Sequence, residues 1–347
     1  MLTNGIYNYS REGLEKYFLE KQQAKFRATQ IFEALYRARI SAFSQITNIK
    51  KDIIEQLESD FYFTKLEIVT KSVANDGTTK FLFRLEDQSL IETVLMIHEY
   101  GYSVCVTSQV GCNMGCAFCA SGTTKKIRNL TAAEMVLQVL TIDNYLRLEE
   151  KRVSHVVVMG IGEPFDNYEH VIEFIKIIND AKGLEIGARH ITLSTCGIAP
   201  KIYEFAELKL QVNLAVSLHF ANDNKRNQYM KINKTYDLET LITALKSYYQ
   251  KTNRRITFEY ILLQGINDSL EDAKELVNLI RGINCYVNLI PYNETGGIFK
   301  RSDDKVRDRF FDYLIKNKIN AIIRKEHGHE IAAACGQLRV QKMKEKE

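Results

Sequence analysis

The chain lacks the features of a membrane or secreted protein. No apolar stretch among its 347 residues approaches the roughly 18 residues that a membrane-spanning helix needs. The first residues lack the basic segment followed by an apolar one that a signal peptide shows. Low-complexity segments and clear sequence repeats are also missing. We therefore expect a globular cytoplasmic protein without a membrane partner.

An excess of charge of one sign is missing as well. Lysines and arginines number 47 against 43 aspartates and glutamates, which gives a net charge of +4. Overall charge therefore says little about partners, and nucleic-acid affinity would have to come from local basic patches. Lys125–Arg128 is one candidate patch, although a solvated turn would have the same composition.

The seven cysteines are not spaced like a disulfide framework. Cys112, Cys116 and Cys119 lie in one loop after a short predicted strand, which suits a reducing compartment where thiolates bind metal. Three such thiolates can hold three irons of a 4Fe-4S cluster and leave the fourth iron open to a small molecule. A zinc site completed by Cys105 or His98 is the alternative.

The pattern of apolar residues divides the chain near residue 97. Residues 1–97 show amphipathic helices and then alternating strands, which predicts a small helical and β accessory domain. In residues 98–347 strands alternate with helices, which is typical of an α/β fold with a parallel sheet. The predicted strands are Ser103–Thr107, Val153–Met159, His190–Ser194, Val212–Ser217, Ile256–Leu262 and Tyr286–Ile290. Right-handed crossovers would curl these units into a partial (βα)6 barrel, and Ala321–Arg324 adds a further strand.

Glycines and polar residues follow several of the predicted strands. Gly160–Pro164 follows the second strand, Ser194–Gly197 the third, Ser217–His219 the fourth and Pro291–Asn293 the sixth. The carboxyl ends of parallel strands lie on one face of a barrel, where functional groups gather. Each segment alone would also fit a tight turn, a cap or a strand-end histidine. Their common placement predicts a binding site beside the cysteine loop.

Several motifs resemble the RlmN/Cfr family of radical S-adenosylmethionine (SAM) RNA methyltransferases. They are Cys112–Cys119, Met159–Pro164, Leu193–Thr195, Ser217–His219, Asn288–Asn293 and Ala334–Leu338. The segments Phe26–Ile31 and Ile46–Asn48 are similar to the N-terminal part of that family. The resemblance covers nearly the whole chain and implies a radical SAM barrel preceded by an accessory domain that binds RNA.

The resemblance implies two kinds of bound group. Cys112, Cys116 and Cys119 would hold a 4Fe-4S cluster. SAM, used twice per turnover, would be held by a larger set: Gly162, Glu163, Ser194, Ser217, Leu218, His219 and Asn293. Glycines let a ligand approach the backbone, and a glutamate offers a carboxylate to a cationic amine.

Three catalytic residues are also implied by the resemblance. Cys335 would accept a methyl group first, because an adenine carbon, electrophilic at best, cannot take one directly from a sulfonium. Cys105 would then close a transient disulfide with Cys335, and Glu92 would accept the ring proton. From the residues alone, Cys105 also fits an inert buried thiol and Glu92 an exposed strand residue. Arg324 and Arg339 lie near Cys335 in sequence, a setting typical of reactive cysteines.

The expected reaction is methylation of adenosine carbon 2 in 23S rRNA, at the peptidyl-transferase centre, and in tRNA beside the anticodon. Glu163-Pro164 resembles the carbon-2 branch of the family, whereas the carbon-8 branch, the Cfr type, tends to have alanine after the glutamate. Two other classes stay open: a zinc-stabilised RNA-binding module without catalysis and a radical enzyme acting on a small metabolite. The expected electron donor is flavodoxin or ferredoxin, and the expected state is a monomer.

Overall fold

The computed structural model describes residues 4–295 and 297–338, so Arg339 lies outside the described part. The strands are β1 Glu67–Val73, β2 Thr79–Arg84, β3 Leu90–His98, β4 Gly101–Cys105, β5 Gln109–Val110, β6 Arg128–Asn129, β7 Val153–Val158, β8 Ile191–Thr195, β9 Asn213–Ser217, β10 Ile256–Leu262, β11 Cys285–Pro291 and β12 Ala321–Ile323. The helices are α1 Arg11–Glu20, α2 Phe26–Glu33, α3 Lys51–Asp60, α4 Ala132–Arg147, α5 Tyr168–Asn179, α6 Ala199–Glu207, α7 Asp223–Tyr229, α8 Leu238–Thr252, α9 Leu270–Leu279 and α10 Asp304–Lys316. None of the helices in these ranges is long and apolar enough to cross a bilayer.

One sheet of ten strands organises the molecule, in the order β1-β2-β3-β4-β7-β8-β9-β10-β11-β12. From β4 onward each neighbouring pair runs parallel, as the alternation of strands and helices predicts. The predicted α/β barrel fold and its further strand near residue 321 are therefore confirmed. Each predicted strand of the barrel differs from the observed one by two residues or fewer at either end, whereas the strand expected at Phe61–Val69 in the first part of the chain is observed at Glu67–Val73.

Central strands of this sheet are apolar because both of their faces are buried. β10 pairs with β11 from Ile256 opposite Cys285 to Leu262 opposite Pro291. Its aliphatic and aromatic side chains are almost wholly excluded from solvent. Parallel strands covered by helices read as continuous apolar runs, so a charged residue within such a strand is unusual. Glu259, only 3% exposed in the middle of β10, is such a residue.

Strands β1 to β3 extend the barrel sheet in antiparallel fashion. The boundary expected at residue 97 falls between β3 and β4, which pair directly with each other. Ahead of these strands, the N-terminal helices pack on the barrel: Arg11 forms an ion pair with Asp180, and Asn8 accepts a hydrogen bond from the Ala133 amide. The division at residue 97 stays a prediction, and the β part of residues 1–97 continues the barrel sheet.

The segment after β12, residues 324–338 and hereafter the tail, links β12 to the antiparallel strands. The Gly328 amide donates to Asp76 in the β1–β2 turn at 3.3 Å. Further along, the Gly336 carbonyl accepts a 2.8 Å hydrogen bond from the Ala120 amide in the cysteine loop. The tail therefore touches both the hairpin of β1 and β2 and the loop that carries Cys112, Cys116 and Cys119.

Candidate active site

The cysteine loop depends on glycines where its backbone is crowded. A Cβ on Gly122 would lie 2.5 Å from the Cys116 carbonyl oxygen, and Gly111 has a positive φ of 78°. Within the loop the Cys119 amide donates to that same carbonyl oxygen at 3.2 Å. The loop is anchored outside itself by the Ala117 amide, which donates to Tyr229 at 2.9 Å. Side chains larger than hydrogen at Gly122 would displace Cys116.

The three cysteines fit an iron–sulfur cluster better than a zinc ion. Cys112, Cys116 and Cys119 line one cavity, while no three metal-binding side chains of the described residues come close enough to share a single ion. A cluster needs no such convergence, because each thiolate binds its own iron. Burial raises the pKa of Cys112 to about 11 and that of Cys116 further. Metal binding favours the thiolate form of such buried cysteines. Cys105, proposed as fourth zinc ligand, lines a different cavity.

The cavity that holds the three cysteines also collects most of the predicted SAM residues. Gly162, Glu163, Ser194, Ser217 and His219 line it, and we call it the strand-end cavity. The residues come from the ends of β7, β8 and β9, where the barrel topology places functional groups. The predicted convergence of these separate motifs on one site is observed in the structure.

Glu163 is held in place by its own chain. Its carboxylate accepts hydrogen bonds from the Thr195 hydroxyl at 2.7 Å, the Cys196 amide at 2.8 Å and the Phe165 amide at 3.0 Å. Burial raises its pKa, and these bonds act in the opposite direction. A carboxylate has about four lone-pair sites, so one is left for a cationic group of a ligand. Thr195 and Cys196 are thus site residues that the sequence reasoning did not single out.

Gly162 and His219 both have a positive φ, a backbone conformation that residues other than glycine rarely adopt. Gly162 has a φ of 114°, and a Cβ there would lie 2.7 Å from the Ser108 hydroxyl. His219 has a φ of 57° although it is not glycine. Its Nδ1 accepts from the Ile261 amide at 3.1 Å, so the neutral ring carries its proton on Nε2. Burial lowers the pKa of His219 to about 3, which keeps the ring neutral.

Two of the predicted SAM residues, Leu218 and Asn293, do not line the strand-end cavity. Leu218 has a fully buried side chain in the hydrophobic core, so it can offer a ligand only backbone groups. Asn293 does not line the strand-end cavity, but its amide nitrogen lies 3.4 Å from the Cys335 carbonyl oxygen. The sequence motif could not distinguish a ligand contact from a contact with the tail.

Cys335 connects the strand-end cavity to a second one. The second cavity, here the thiol cavity, is lined by Cys105, Cys335, Asn293, Arg324 and Met159 among others. Cys105 and Cys335 are both free thiols. Burial and the nearby Cys335 raise the pKa of Cys105 to about 12. The structure thus brings together the two thiols that the sequence separates by 230 residues, without a disulfide between them.

An ion pair between the partly exposed Arg324 and the buried Glu259 lies beside these thiols and was missed by the sequence reasoning. Arg324 Nη1 is 3.4 Å from Glu259, whose other carboxylate oxygen accepts from Asn288 at 2.9 Å. Proximity to Cys335 and Glu259 raises the pKa of Arg324 against the effect of burial. The charged Glu259 within an apolar strand was the available signal in the sequence.

Glu92 lies apart from the two thiols. It lines a third cavity, the hairpin cavity, together with Ser72, Lys80, Ala332 and Gln337. The tail runs between this cavity and the thiol cavity, because Ala332 and Gln337 line the first while Cys335 lines the second. The interpretation of Glu92 as an exposed strand residue is wrong, since only 6% of the residue is exposed.

The basic patch Lys125–Arg128 is largely neutralised by acidic partners. Lys126 Nζ lies 2.6 Å from Asp166, and Arg128 is within 2.7 Å of both Asp87 and Glu134. The patch therefore does not offer the cluster of unpaired cations that its sequence indicated. Any RNA contact here would fall mainly to Lys125, which is exposed.

The chain is similar to known proteins over nearly its whole length. Residues 106–280 match the radical SAM superfamily, and residues 4–62 match the ribosomal RNA large subunit methyltransferase N-terminal domain. A crystal structure of a radical SAM methyltransferase from Sphaerobacter thermophilus superposes with a TM-score of 0.90 at 40% identity, covering 97% of this chain and 99% of that one. The barrel and its cysteine loop thus define a radical SAM enzyme.

Curated relatives narrow the class further. A protein of Enterococcus faecalis is 53% identical and covers 99% of this chain and 98% of its own length. A second protein, from Acholeplasma laidlawii, is 53% identical and covers 97% of this chain and 99% of its own length. Both carry the name probable dual-specificity RNA methyltransferase RlmN. The chain belongs to the RlmN family of radical SAM RNA methyltransferases.

Proposed function

We propose that the enzyme methylates carbon 2 of adenosine in 23S rRNA, at the peptidyl-transferase centre, and in tRNA beside the anticodon. One observation carries the proposal: Cys335 lines both the strand-end cavity and the thiol cavity that contains Cys105. A carrier thiol must reach a methyl donor on one side and a second thiol on the other. Two RNA substrates agree with the dual specificity named for the relatives.

Cys112, Cys116 and Cys119 would hold the 4Fe-4S cluster, and the residues of the strand-end cavity would hold SAM, with two molecules used per turnover. Together these groups supply a methyl cation in one step and a 5′-deoxyadenosyl radical in the other. The chain's own part is to orient the donor with Glu163, Ser194 and His219. Apolar neighbours such as Phe118 and Met230 exclude water from the same cavity.

Cys335 takes the methyl group as a nucleophile: its sulfur forms a bond to the methyl carbon, and the methyl donor leaves as a thioether. A carrier is needed because carbon 2 of adenine is not a nucleophile. After a hydrogen atom is removed from the S-methyl group, the carbon that Cys335 carries adds to the base. The base is then covalently attached to the protein through that carbon. The adduct carries an unpaired electron, which would pass to the oxidised cluster and leave a closed-shell cation on the base.

Release of the product requires a base and a second thiol. Glu92 accepts the proton from carbon 2, and the electron pair of that C–H bond stays on the adduct. Cys105 then bonds to the sulfur of Cys335 as the carbon–sulfur bond breaks, and the released carbon gains a proton to become the methyl group. The resulting Cys105–Cys335 disulfide returns to two thiols by reduction with an external thiol.

The choice of carbon 2 over carbon 8 rests on Pro164, since the carbon-8 branch tends to have alanine at this position. Proline restricts the residue before it, and that residue is Glu163 of the strand-end cavity. The deciding experiment digests RNA modified by purified enzyme and compares its nucleosides with 2-methyladenosine and 8-methyladenosine standards. We expect 2-methyladenosine, whereas a dominant 8-methyladenosine peak would assign the enzyme to the Cfr type.

The same proposal includes the cellular setting. Residues 1–97 would position the RNA, and residues 98–347 would carry out the chemistry. The cluster would receive its electron from flavodoxin or ferredoxin, and the enzyme would act as a cytoplasmic monomer. Nucleosides from cells with and without the gene test the substrates directly, since loss of methyladenosine from only one RNA class would reject dual specificity.

A further inference from the structure

Lys80 makes an ion pair with Glu92 inside the sheet. Its Nζ lies 3.2 Å from Glu92 Oε1, and the two side chains are only 18% and 8% exposed. The residues lie on adjacent antiparallel strands, β2 and β3, where Lys80 pairs with Val94 and Glu92 with Leu82. Diagonal neighbours on one face of a sheet are within reach of long side chains. The pair is therefore set by the strand register.

A second contact fixes the ammonium group of Lys80. Its Nζ donates to the Ala332 carbonyl oxygen in the tail at 3.3 Å. Ala332 has a φ of 49°, a left-handed conformation that is costly for a residue other than glycine. The neighbouring Ala333 amide bonds to the Gly328 carbonyl at 3.0 Å, which helps to hold the turn. Lys80 is thus held between Glu92 and the tail that carries Cys335.

Lys80 is also the positive charge among several carboxylates in the hairpin cavity. Three carboxylates line this cavity, those of Glu92, Glu294 and Glu330. Among the described lining residues, Lys80 is the only cation. Neighbouring carboxylates favour protonation of one another, whereas an ammonium group within hydrogen-bond distance opposes it. The ion pair with Lys80 therefore favours the ionised form of Glu92. Glu294 and Glu330, in contrast, have partners of their own in Lys300 and Asn75.

We propose that Lys80 is a positioning residue for the proton transfer, which holds Glu92 ionised and directed into the hairpin cavity until the substrate base arrives. The inference rests on the proposed role of Glu92. In this step the ring C–H bond breaks and its proton passes to a Glu92 oxygen. Lys80 keeps its own protons and stabilises the carboxylate before the transfer. The methylation of Cys335 precedes this step and does not need Lys80.

Three variants test the proposal: Lys80→Met, Lys80→Arg and the control Lys71→Met. Lys71 is an exposed lysine on β1 of the same sheet, with its Nζ 4.6 Å from the Tyr145 ring centroid and no place in the hairpin cavity. We expect Lys80→Met to slow the formation of methyladenosine about tenfold to a hundredfold, less than the ~10²–10⁴ that a general base contributes. The Lys80→Arg variant and the control should form methyladenosine at a rate within about threefold of the wild-type rate. Both keep a cation beside Glu92, an arginine in the first case and Lys80 itself in the second.

The readout separates positioning from general loss of structure. Methylation of Cys335 is measured by mass spectrometry of the protein, and the covalent adduct with a 23S rRNA fragment is measured on denaturing gels. Lys80→Met should load Cys335 as the wild type does and accumulate adduct. Equal loss of loading and product would show a merely structural role and overturn the inference.

A double-mutant cycle with Glu92→Gln completes the test. If Lys80 acts through Glu92, adding Lys80→Met to Glu92→Gln should change the rate less than about twofold, whereas independent roles would multiply. Multiplication of the two effects would reject the proposal. Wild-type enzyme that makes no methyladenosine would instead overturn the proposed function, and a Glu92→Gln variant with normal turnover would remove the role of Glu92 itself.

Discussion

The two sides of the site are built by different means. The strand-end cavity takes its residues from the ends of successive barrel strands, so each motif reaches the site through the topology of the sheet alone. On the other side, Cys105, Cys335 and Glu92 come from β4, the tail and β3. Cys105 and Cys335 share a cavity, and Glu92 lies on the other side of the tail, because the tail crosses from β12 to the hairpin of β1 and β2. Under the proposed function, cofactor binding would depend on the barrel and methyl transfer on how the tail docks.

The largest expected effect lies on the strand-end side. Cys116→Ala removes a cluster ligand and should abolish both methylation of Cys335 and formation of methyladenosine. Anaerobically purified wild-type protein should contain about four irons and four sulfides per chain, and the variant far fewer. Cys285→Ala, a buried cysteine on β11 away from these cavities, is the control. Stoichiometric zinc without sulfide in the wild type would contradict the radical SAM assignment of the loop.

The second largest effect is expected when either of the two thiols is replaced, and it should distinguish their roles. Cys335→Ala should abolish self-methylation and product, while Cys105→Ala should still load Cys335 and attack RNA but fail to release it. The variants are compared by protein mass and by the protein–RNA adduct on denaturing gels. Wild-type turnover by Cys105→Ala, or methyladenosine made by Cys335→Ala, would show that the tail side works differently from our proposal.

The ion pair between the two sides should matter for stability. Glu259→Gln leaves the partly exposed Arg324 guanidinium without its carboxylate partner at 3.4 Å. We expect a cost of about 2 kcal/mol in free energy of unfolding, below the ~3–5 kcal/mol for breaking a fully buried pair. Glu204→Gln removes the nearer of the two carboxylates, Glu204 and Glu169, that pair with Lys201 at the surface and should cost less than about 1 kcal/mol. Urea unfolding of both variants measures the difference. Equal costs would mean that this pair does not hold the two sides together.

A smaller effect is expected for SAM binding. Glu163→Gln removes the charge that accepts from Thr195 and Cys196, and we expect about tenfold weaker SAM binding, since hydrogen bonds to charged groups are worth ~1.5–3 kcal/mol. Calorimetry on cluster-loaded protein measures the affinity, with the exposed Glu207→Gln as control. An unchanged affinity would show that Glu163 only shapes the loop.

The smallest expected effect is on pH dependence and concerns His98, whose ring lies 4.6 Å from that of His327, a lining residue of the thiol cavity. Burial and the nearby His327 lower the pKa of His98 to about 4 from its usual 6.5. His98 therefore binds a proton more readily in the unfolded chain than in the folded one. Above about pH 6.5 the residue is neutral in both states and the folded state is not penalised. As the pH falls from about 6.5 towards about 4, protonation of the unfolded chain lowers the free energy of unfolding. Urea unfolding at about pH 7 and about pH 5 should show a smaller decrease for His98→Asn than for the wild type. An equal decrease in the free energy of unfolding for the variant and the wild type would show that groups other than His98 cause the loss of stability.

Local sequence determined the strand-end side of this protein almost completely. The spacing of Cys112, Cys116 and Cys119 and the motifs at Gly162 and His219 follow strands whose positions the apolar pattern predicts. Because parallel strands carry their carboxyl ends to one face, order along the chain was enough to place these residues together. The family resemblance named Cys105, Cys335 and Glu92, but their spacing could not show which of them meet.

Tertiary structure alone decided the remainder. It placed Cys335 between two cavities, Glu92 behind the tail in a third, and the Leu218 side chain in the core. Contacts such as Lys80 with Ala332 and Arg324 with Glu259 join segments 252 and 65 residues apart in the chain. No local pattern encodes such pairs, because they arise only when the sheet register and the docking of the tail bring the charges within a few ångströms of each other.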